Sequence, residues 1–173
     1  MPYSIPYSLE TERLHLRMPQ EADWEPLMAY YADENCMRYT TRTIHSAGEV
    51  WRKVALMRGH WDFRNFGPYI LEEKSSGKVI GVCGLWYPGE WPEPEIKWGI
   101  IPSHQQKGFA REAALLVRET AAQHLPDLKL ISLIDKENVA SIALALSMGC
   151  TAEQDFEMRG IDCTIYRHKE MKD

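Results

Sequence analysis

The run Val79-Ile80-Gly81-Val82-Cys83-Gly84-Leu85-Trp86 is almost wholly apolar, yet far too short to cross a membrane. An apolar stretch of that length without alternation reads as a central strand, and a central strand requires neighbours on either side. One neighbour stands just before it. The apolar residues 69–71 and the turn-forming Lys74-Ser75-Ser76-Gly77-Lys78 make a hairpin with the central run. A third strand, Glu95–Ile101, follows the Pro-, Gly- and Trp-rich connection 87–94 and is stopped by Pro102.

On both sides of this set the hydrophobic period switches between that of a strand and that of a helix. Leu14, Leu16 and Met18 alternate with Arg13, His15 and Arg17, a half-buried strand over 13–18 after a loose lead-in holding Pro2 and Pro6. Trp24, Leu27, Met28 and Tyr31 recur at helical spacing, and Glu21, Asp23 and Pro26 suit the start of that helix. Ser46 and Glu49 form a capping box for a second helix with the stripe Val50, Val54, Met57 and Gly59 as its stop. A third helix opens near residue 108, with Phe109, Ala113, Leu116, Val117 and Ala121 on one face. Residues 128–135 read as a buried strand, 138–149 as an apolar helix ending at Gly149, and 151–168 as two strands around Arg159-Gly160. The order predicts an α/β fold on a mixed sheet, one domain over residues 1–173.

Composition narrows the function classes. Hydrophobic residues make up 45% and charged residues 26%, an ordinary globular balance. With 20 Lys+Arg against 25 Asp+Glu the net charge is -5, which argues against nucleic acid or an anionic membrane as partner but allows a local cationic pocket. Cys36, Cys83, Cys150 and Cys163 show neither a Cys-x-x-Cys nor zinc-ligand spacing, so buried, reduced thiols and no metal site are expected. The first residues lack a cationic start and a long apolar run, so no signal peptide is read there and a cytoplasmic location is expected.

The stretch WGIIPSHQQKGFAREAALLV runs strand, polar loop, helix. It presents backbone N–H groups at a helix N-terminus, where the dipole favours an anion, with Gly108 permitting close approach and Lys107 and Arg111 adding charge. An ordinary capped strand-to-helix turn fits the same spacing. The loop is neither a Walker A motif nor a Gly-x-Gly-x-x-Gly dinucleotide turn.

Gln105-Gln106-Lys107-Gly108-Phe109-Ala110 resembles the Gln/Arg-x-x-Gly-x-Gly/Ala signature of GNAT acetyltransferases. Three further stretches fall in that family's order. TERLHLRMPQEADWEPLMAYYAD resembles the opening of the RimJ/RimL-like branch, which acetylates protein N-termini and other amines. EIKWGIIP resembles the strand written Glu-Ile-Gly-x-x-Ile-x-Pro, and IDKENVASIALALSMGC the branch's Asn-x-x-Ser helix. The resemblance covers about residues 9–168 and implies a twisted, mostly antiparallel mixed sheet of about seven strands with about four helices.

It also implies an acetyl-CoA-dependent N-acetyltransferase acting on a primary amine, with acetyl-CoA as co-substrate. By resemblance, Gln105, Gln106, Lys107, Gly108, Phe109, Ala110 and Arg111 hold its pyrophosphate, the backbones of Ile100 and Ile101 and the side chain of Asn138 its pantetheine arm. Glu95 is the candidate base and Ser141 the candidate partner of the leaving thiolate, with a solvated strand-end carboxylate and a locally bonded helix hydroxyl as the plainer readings. The family often places a tyrosine in the last helix; here that position is Ala145, and Cys150 replaces a customary Phe. A silent acyl-CoA-binding module of the same fold is the alternative. An acceptor pocket is expected among the first two helices, the 87–94 connection and the sheet. Trp61, Phe63, Trp86, Trp91 and Trp98 cluster there in sequence, with Trp86, Trp91 and Trp98 the candidate substrate contacts. Direct transfer needs no cysteine nucleophile, and His45, His60 and His104 read as surface or cap residues. The aromatic content is compatible with a homodimer.

Overall fold

Backbone pairing follows the hydrophobic pattern from end to end. The computed structural model describes residues 3–170, so Pro2 of the expected lead-in lies outside the described residues. The strands are β1 (Ser8–Glu10), β2 (Leu14–Arg17), β3 (Pro68–Glu73), β4 (Lys78–Trp86), β5 (Glu95–Ile100), β6 (Ile131–Asp135), β7 (Thr151–Met158) and β8 (Ile161–Arg167). They form a single sheet in the order β1-β2-β3-β4-β5-β6-β8-β7. The helices are α1 (Trp24–Tyr31), α2 (Glu34–Met37), α3 (Ala47–Arg64), α4 (Phe109–His124) and α5 (Val139–Ser147).

β4 is the central strand that its apolar run requires. Cys83 and Leu85 enter one core with Phe109, Ala113 and Val117 of α4. Val82 and Trp86 enter a second core with Leu27 and Tyr31 of α1 and Val50, Val54 and Met57 of α3. Alternating side chains of one strand therefore serve both faces.

β1 and α2 go beyond the expected seven strands and four helices, and both are too short to carry a period. β1 adds to β2 with Leu9 opposite Leu16. α2 is held by the Asp33 side chain, which accepts from the Cys36 N–H at 2.8 Å. Gly59 does not stop α3. The helix continues to Arg64 and ends at Asn65 in the left-handed region, φ 61°. On α4 Leu116 is only half-buried, while Ala114 and Thr120 complete the buried face.

Arg17 ties β2 to the short 3-10 turn, Glu21–Asp23, that starts α1. Its guanidinium donates to Asp23 at 2.9 and 2.7 Å and also pairs with Glu72 of β3. Asp23 is buried and also accepts the Gln20 N–H at 2.7 Å. Asp23→Ala should leave a half-buried guanidinium with Glu72 as its one ion-pair partner beside its bond to Met18 O at 3.2 Å, costing about 2–3 kcal/mol. Urea unfolding checks this; an unchanged midpoint would show that these two partners satisfy Arg17.

All pairings are antiparallel except that of β5 with β6, which is parallel and registers only Glu95 with Ile131. The Ile131 N–H donates to Pro94 O at 3.0 Å, and the Ser132 hydroxyl to Ile96 O at 2.7 Å. Beyond this the strands diverge, splitting the sheet along a cleft. Among the described residues no helix is long and apolar enough to cross a membrane.

Candidate active site

Glu95 occupies the apex of the cleft. It is 7% exposed, so the solvated strand-end reading fails. One carboxyl oxygen accepts from the Trp91 indole N–H at 2.8 Å and the other from the Leu133 N–H at 3.1 Å. Burial pushes its carboxyl above the ordinary range, against those two hydrogen bonds.

A cavity of about 580 Å³ opens from this point. Its walls include Tyr30 and Tyr31 of α1, Cys36, Met37 and Tyr39 to Thr41, Lys53 and Met57 of α3, and Trp86, Pro88 and Trp91. β5 and β6 supply Lys97, Trp98 and Asp135, and α5 supplies Ser141 next to its cap Asn138. Met158 and Arg159 of the β7–β8 hairpin also line it. The Ser141 hydroxyl accepts from the Trp98 indole at 3.2 Å, which leaves its own proton free to donate. Asn138 Oδ1 accepts the Ser141 N–H at 3.2 Å, fixing the start of α5.

The period of β5 sets which groups meet the cleft. Ile101 N–H donates to Ile80 O on β4 at 2.9 Å, while Ile96 O accepts from β6 and Ile100 O from the Gln105 side chain at 2.9 Å. Alternation therefore turns the N–H groups of Trp98 and Ile100 to the open side. Of the two predicted isoleucines, Ile100 alone offers its N–H there.

The loop after β5 is built to leave donors unpaired. Gln106 and Gly108 are left-handed, φ 59° and 81°. No side chain caps α4. Among the described residues the backbone N–H groups from Gln106 to Arg111 meet no protein acceptor, the first helical bond being Glu112 N–H to Gly108 O at 3.0 Å. Such a nest suits a diphosphate. Lys107 Nζ donates to Ser103 O at 3.0 Å and Arg111 reaches Ser147, so both cations stand at its rim. Arg13, unforeseen in the sequence, braces the loop. It donates to Lys107 O at 2.9 Å, pairs with Glu112 and lies 4.2 Å from the centre of the Phe109 ring.

Trp86, Trp91 and Trp98 all line the cavity, Trp98 from the α5 side. Trp61 and Phe63 do not: Trp61 is fully buried against Tyr69, and Phe63 is 86% exposed. His60 is a correction as well, since it is buried, not at the surface. It stacks on Trp86 at 4.8 Å and accepts the Tyr87 N–H at 2.8 Å. Cys83, Cys150 and Cys163 are buried free thiols, whereas Cys36 is half-buried at the cavity wall. Cys150 does have a histidine beside it, His168 at 3.4 Å, reached through the fold and not the sequence. Ala145 is fully buried.

Lys53 and Lys97 were missed. Lys97 Nζ stands 4.3 Å from the Trp86 ring centre, and burial pulls its ammonium down to about 8. The signal lay in the sequence: a period of two puts Lys97 on the face of Glu95, where the strand motif above carries glycine.

The family model described as "Acetyltransferase (GNAT) domain" matches residues 13–151. An uncharacterized N-acetyltransferase of Bacillus subtilis, YnaD, is 27% identical over 150 residues, covering 86% of this chain and 85% of that protein. The crystal structure of an acetyltransferase from Agrobacterium tumefaciens superposes with TM-score 0.84 at 27% identity, covering 96% of each chain. A ribosomal L7/L12 alpha-N-protein acetyltransferase, RimL, shares the fold with TM-score 0.73 at 18% identity over 95% of this chain and 92% of that one. With most of its length under the family model and a split sheet above an unpaired loop of N–H groups, this chain belongs to the GNAT acetyltransferases.

Proposed function

We propose that the protein transfers the acetyl group of acetyl-CoA directly to a primary amine, with Glu95 as base. The observation that carries this is the buried carboxylate at the apex of the cleft, lining a cavity that the free Ser141 hydroxyl also lines. Acetyl-CoA supplies an activated acetyl thioester, and the loop Gln105–Arg111 fits its diphosphate. An ammonium has no lone pair, so the acceptor must lose a proton before it attacks. A carboxyl held above the ordinary range is a better base at neutral pH than an exposed one. As the amine nitrogen bonds to the carbonyl carbon and the carbon–sulfur bond breaks, Glu95 receives the amine proton, directly or through water. The N–H groups of Trp98 and Ile100 face the cleft as donors for the negative charge that develops on oxygen. The Ser141 hydroxyl donates to the departing thiolate, the task that Ala145 cannot perform.

Thiol release over a panel of amines tests the proposal. The panel holds peptides with N-terminal Ala, Ser or Met, amino acids, polyamines and aminoglycosides. We expect release that requires both acetyl-CoA and one class of amine. Acetyl-CoA binding with no release from any amine would leave a silent acyl-CoA-binding module instead.

A further inference from the structure

The charges around the cavity do not balance. Asp135 is matched by Arg42 at 3.1 Å, and Arg159 by both oxygens of Glu90 at 2.9 and 3.0 Å. Glu95 is satisfied by the neutral donors of Trp91 and Leu133. That leaves Lys53 and Lys97, which line the same cavity from α3 and β5. Among the described residues neither ammonium has an ion pair within 4.0 Å or a hydrogen bond. Each rests instead against a ring, Lys97 on Trp86 at 4.3 Å and Lys53 on Tyr31 at 5.3 Å. Aromatic faces offset only part of the cost of desolvating an ammonium. Two cations thus face one cavity whose only carboxylate without an ion pair, among the described residues, is Glu95, which attracts Lys97 without contacting it.

Resting on the acetyl-transfer reading above, we propose that the acceptor is an amine whose skeleton also carries a carboxylate, held by Lys53 and Lys97 while its amino group meets Glu95. Glu95 and Lys97 stand two residues apart on one face of β5, a span of about 7 Å along the strand, which one small molecule or the end of a peptide bridges. An arriving anion offsets the cost that burial puts on both ammonium groups. Polyamines and aminoglycosides, which bring only positive charge, are disfavoured by the same two groups.

The test measures thiol release with acceptor pairs that differ in carboxylate against amide: glutamate and aspartate against their diamides, and the C-terminally amidated dipeptide Ala-Glu against amidated Ala-Gln. The first pairs probe a free amino acid, the second a peptide N-terminus with an acidic neighbour. We expect at least about 10-fold higher kcat/KM for the carboxylate member of one set, the worth of a charge-assisted contact. Lys97→Met and Lys53→Met should each erase most of that preference through KM and leave the affinity for acetyl-CoA unchanged, whereas Lys97→Arg should retain part of the preference that Lys97→Met loses. Equal rates for the pairs, a preference for polyamines, or a preference that survives both Met variants would overturn the proposal. So would an acetyl group mapped to Lys97 by peptide mass spectrometry, which would make the lysine itself the acceptor. If no amine releases thiol, the transfer reading fails, and calorimetry with N-acetylglutamate against its diamide decides the charge claim separately. Tighter binding of the dianion that Lys97→Met weakens about 10-fold upholds it; equal binding of the two overturns it.

Discussion

Gly108→Asp should cost the protein at least about 100-fold in affinity for acetyl-CoA while leaving it folded. The new carboxylate sits among the unpaired N–H groups from Gln106 to Arg111 and competes for them as a tethered anion, at an effective concentration far above that of free ligand. It also repels a diphosphate. Folding should survive for three reasons. Aspartate tolerates the left-handed conformation that Gly108 adopts, φ 81°. A Cβ there would meet only Arg13, at 3.4 Å. And the side chain caps a helix that otherwise has none. Gly108→Ala separates charge from backbone strain: it carries the strain alone, about 1–2 kcal/mol, and should bind far better than the aspartate. Calorimetry reads both. Equal affinities for the aspartate variant and the native chain would remove the phosphate-nest assignment.

Glu95→Gln is the second large effect. Loss of a general base lowers turnover by about 10²–10⁴-fold at neutral pH, with partial recovery as the amine deprotonates unaided at high pH. The sign follows from the raised carboxyl. In the native enzyme Glu95 is protonated and idle at low pH, so activity should rise with pH through a limb above the ordinary glutamate range. In the variant that limb vanishes and only the slope of the amine itself remains. The substitution also has a structural cost. Both oxygens of Glu95 accept from N–H donors, so the new amide must point an N–H at one of them. Thermal unfolding must therefore accompany the kinetics. Ser141→Ala provides the contrast: it should lower turnover more modestly and equally at every pH, because assisting the thiolate does not depend on amine protonation. Equal, pH-independent losses in both variants would make Glu95 a positioning residue.

Much of this architecture was legible because periodicity reports burial. The run 79–86 announced a central strand, and Ser46 with Glu49 marked the start of α3 to the residue. What stayed hidden was either too short or too distant. β1 and α2 contain too few residues for a period to emerge. Gly59 looked like a stop because glycine is a poor helix former, yet the buried Trp61 carries α3 past it. The site divided along the same line. The loop 105–111 is continuous in sequence and could be read directly. Arg13, Lys53 and Arg159 reach the site from elements far from β5 along the chain, and only tertiary packing reveals them. Lys97 is the exception, since the alternation that identified β5 already set it beside Glu95. Trp61 and Phe63 show the converse: neighbours in sequence on a helix, they point to different surroundings.

The single rung between β5 and β6 bears on the order of events during synthesis. Each of the first five strands pairs with its neighbour in sequence, by short connections except that β2 meets β3 only after α1, α2 and α3 have intervened, so this half of the sheet can close in order as the chain leaves the ribosome. β6, β7 and β8 zip up separately, β8 sliding between the other two. The cleft comes into being when these two blocks dock, and Glu95, which takes the Leu133 N–H across the seam, is among the contacts that fasten them. The chamber is thus completed late: a nascent chain lacking its last three strands already carries the 105–111 loop, the proposed diphosphate site, but not the walls that β6 and the β7–β8 hairpin supply.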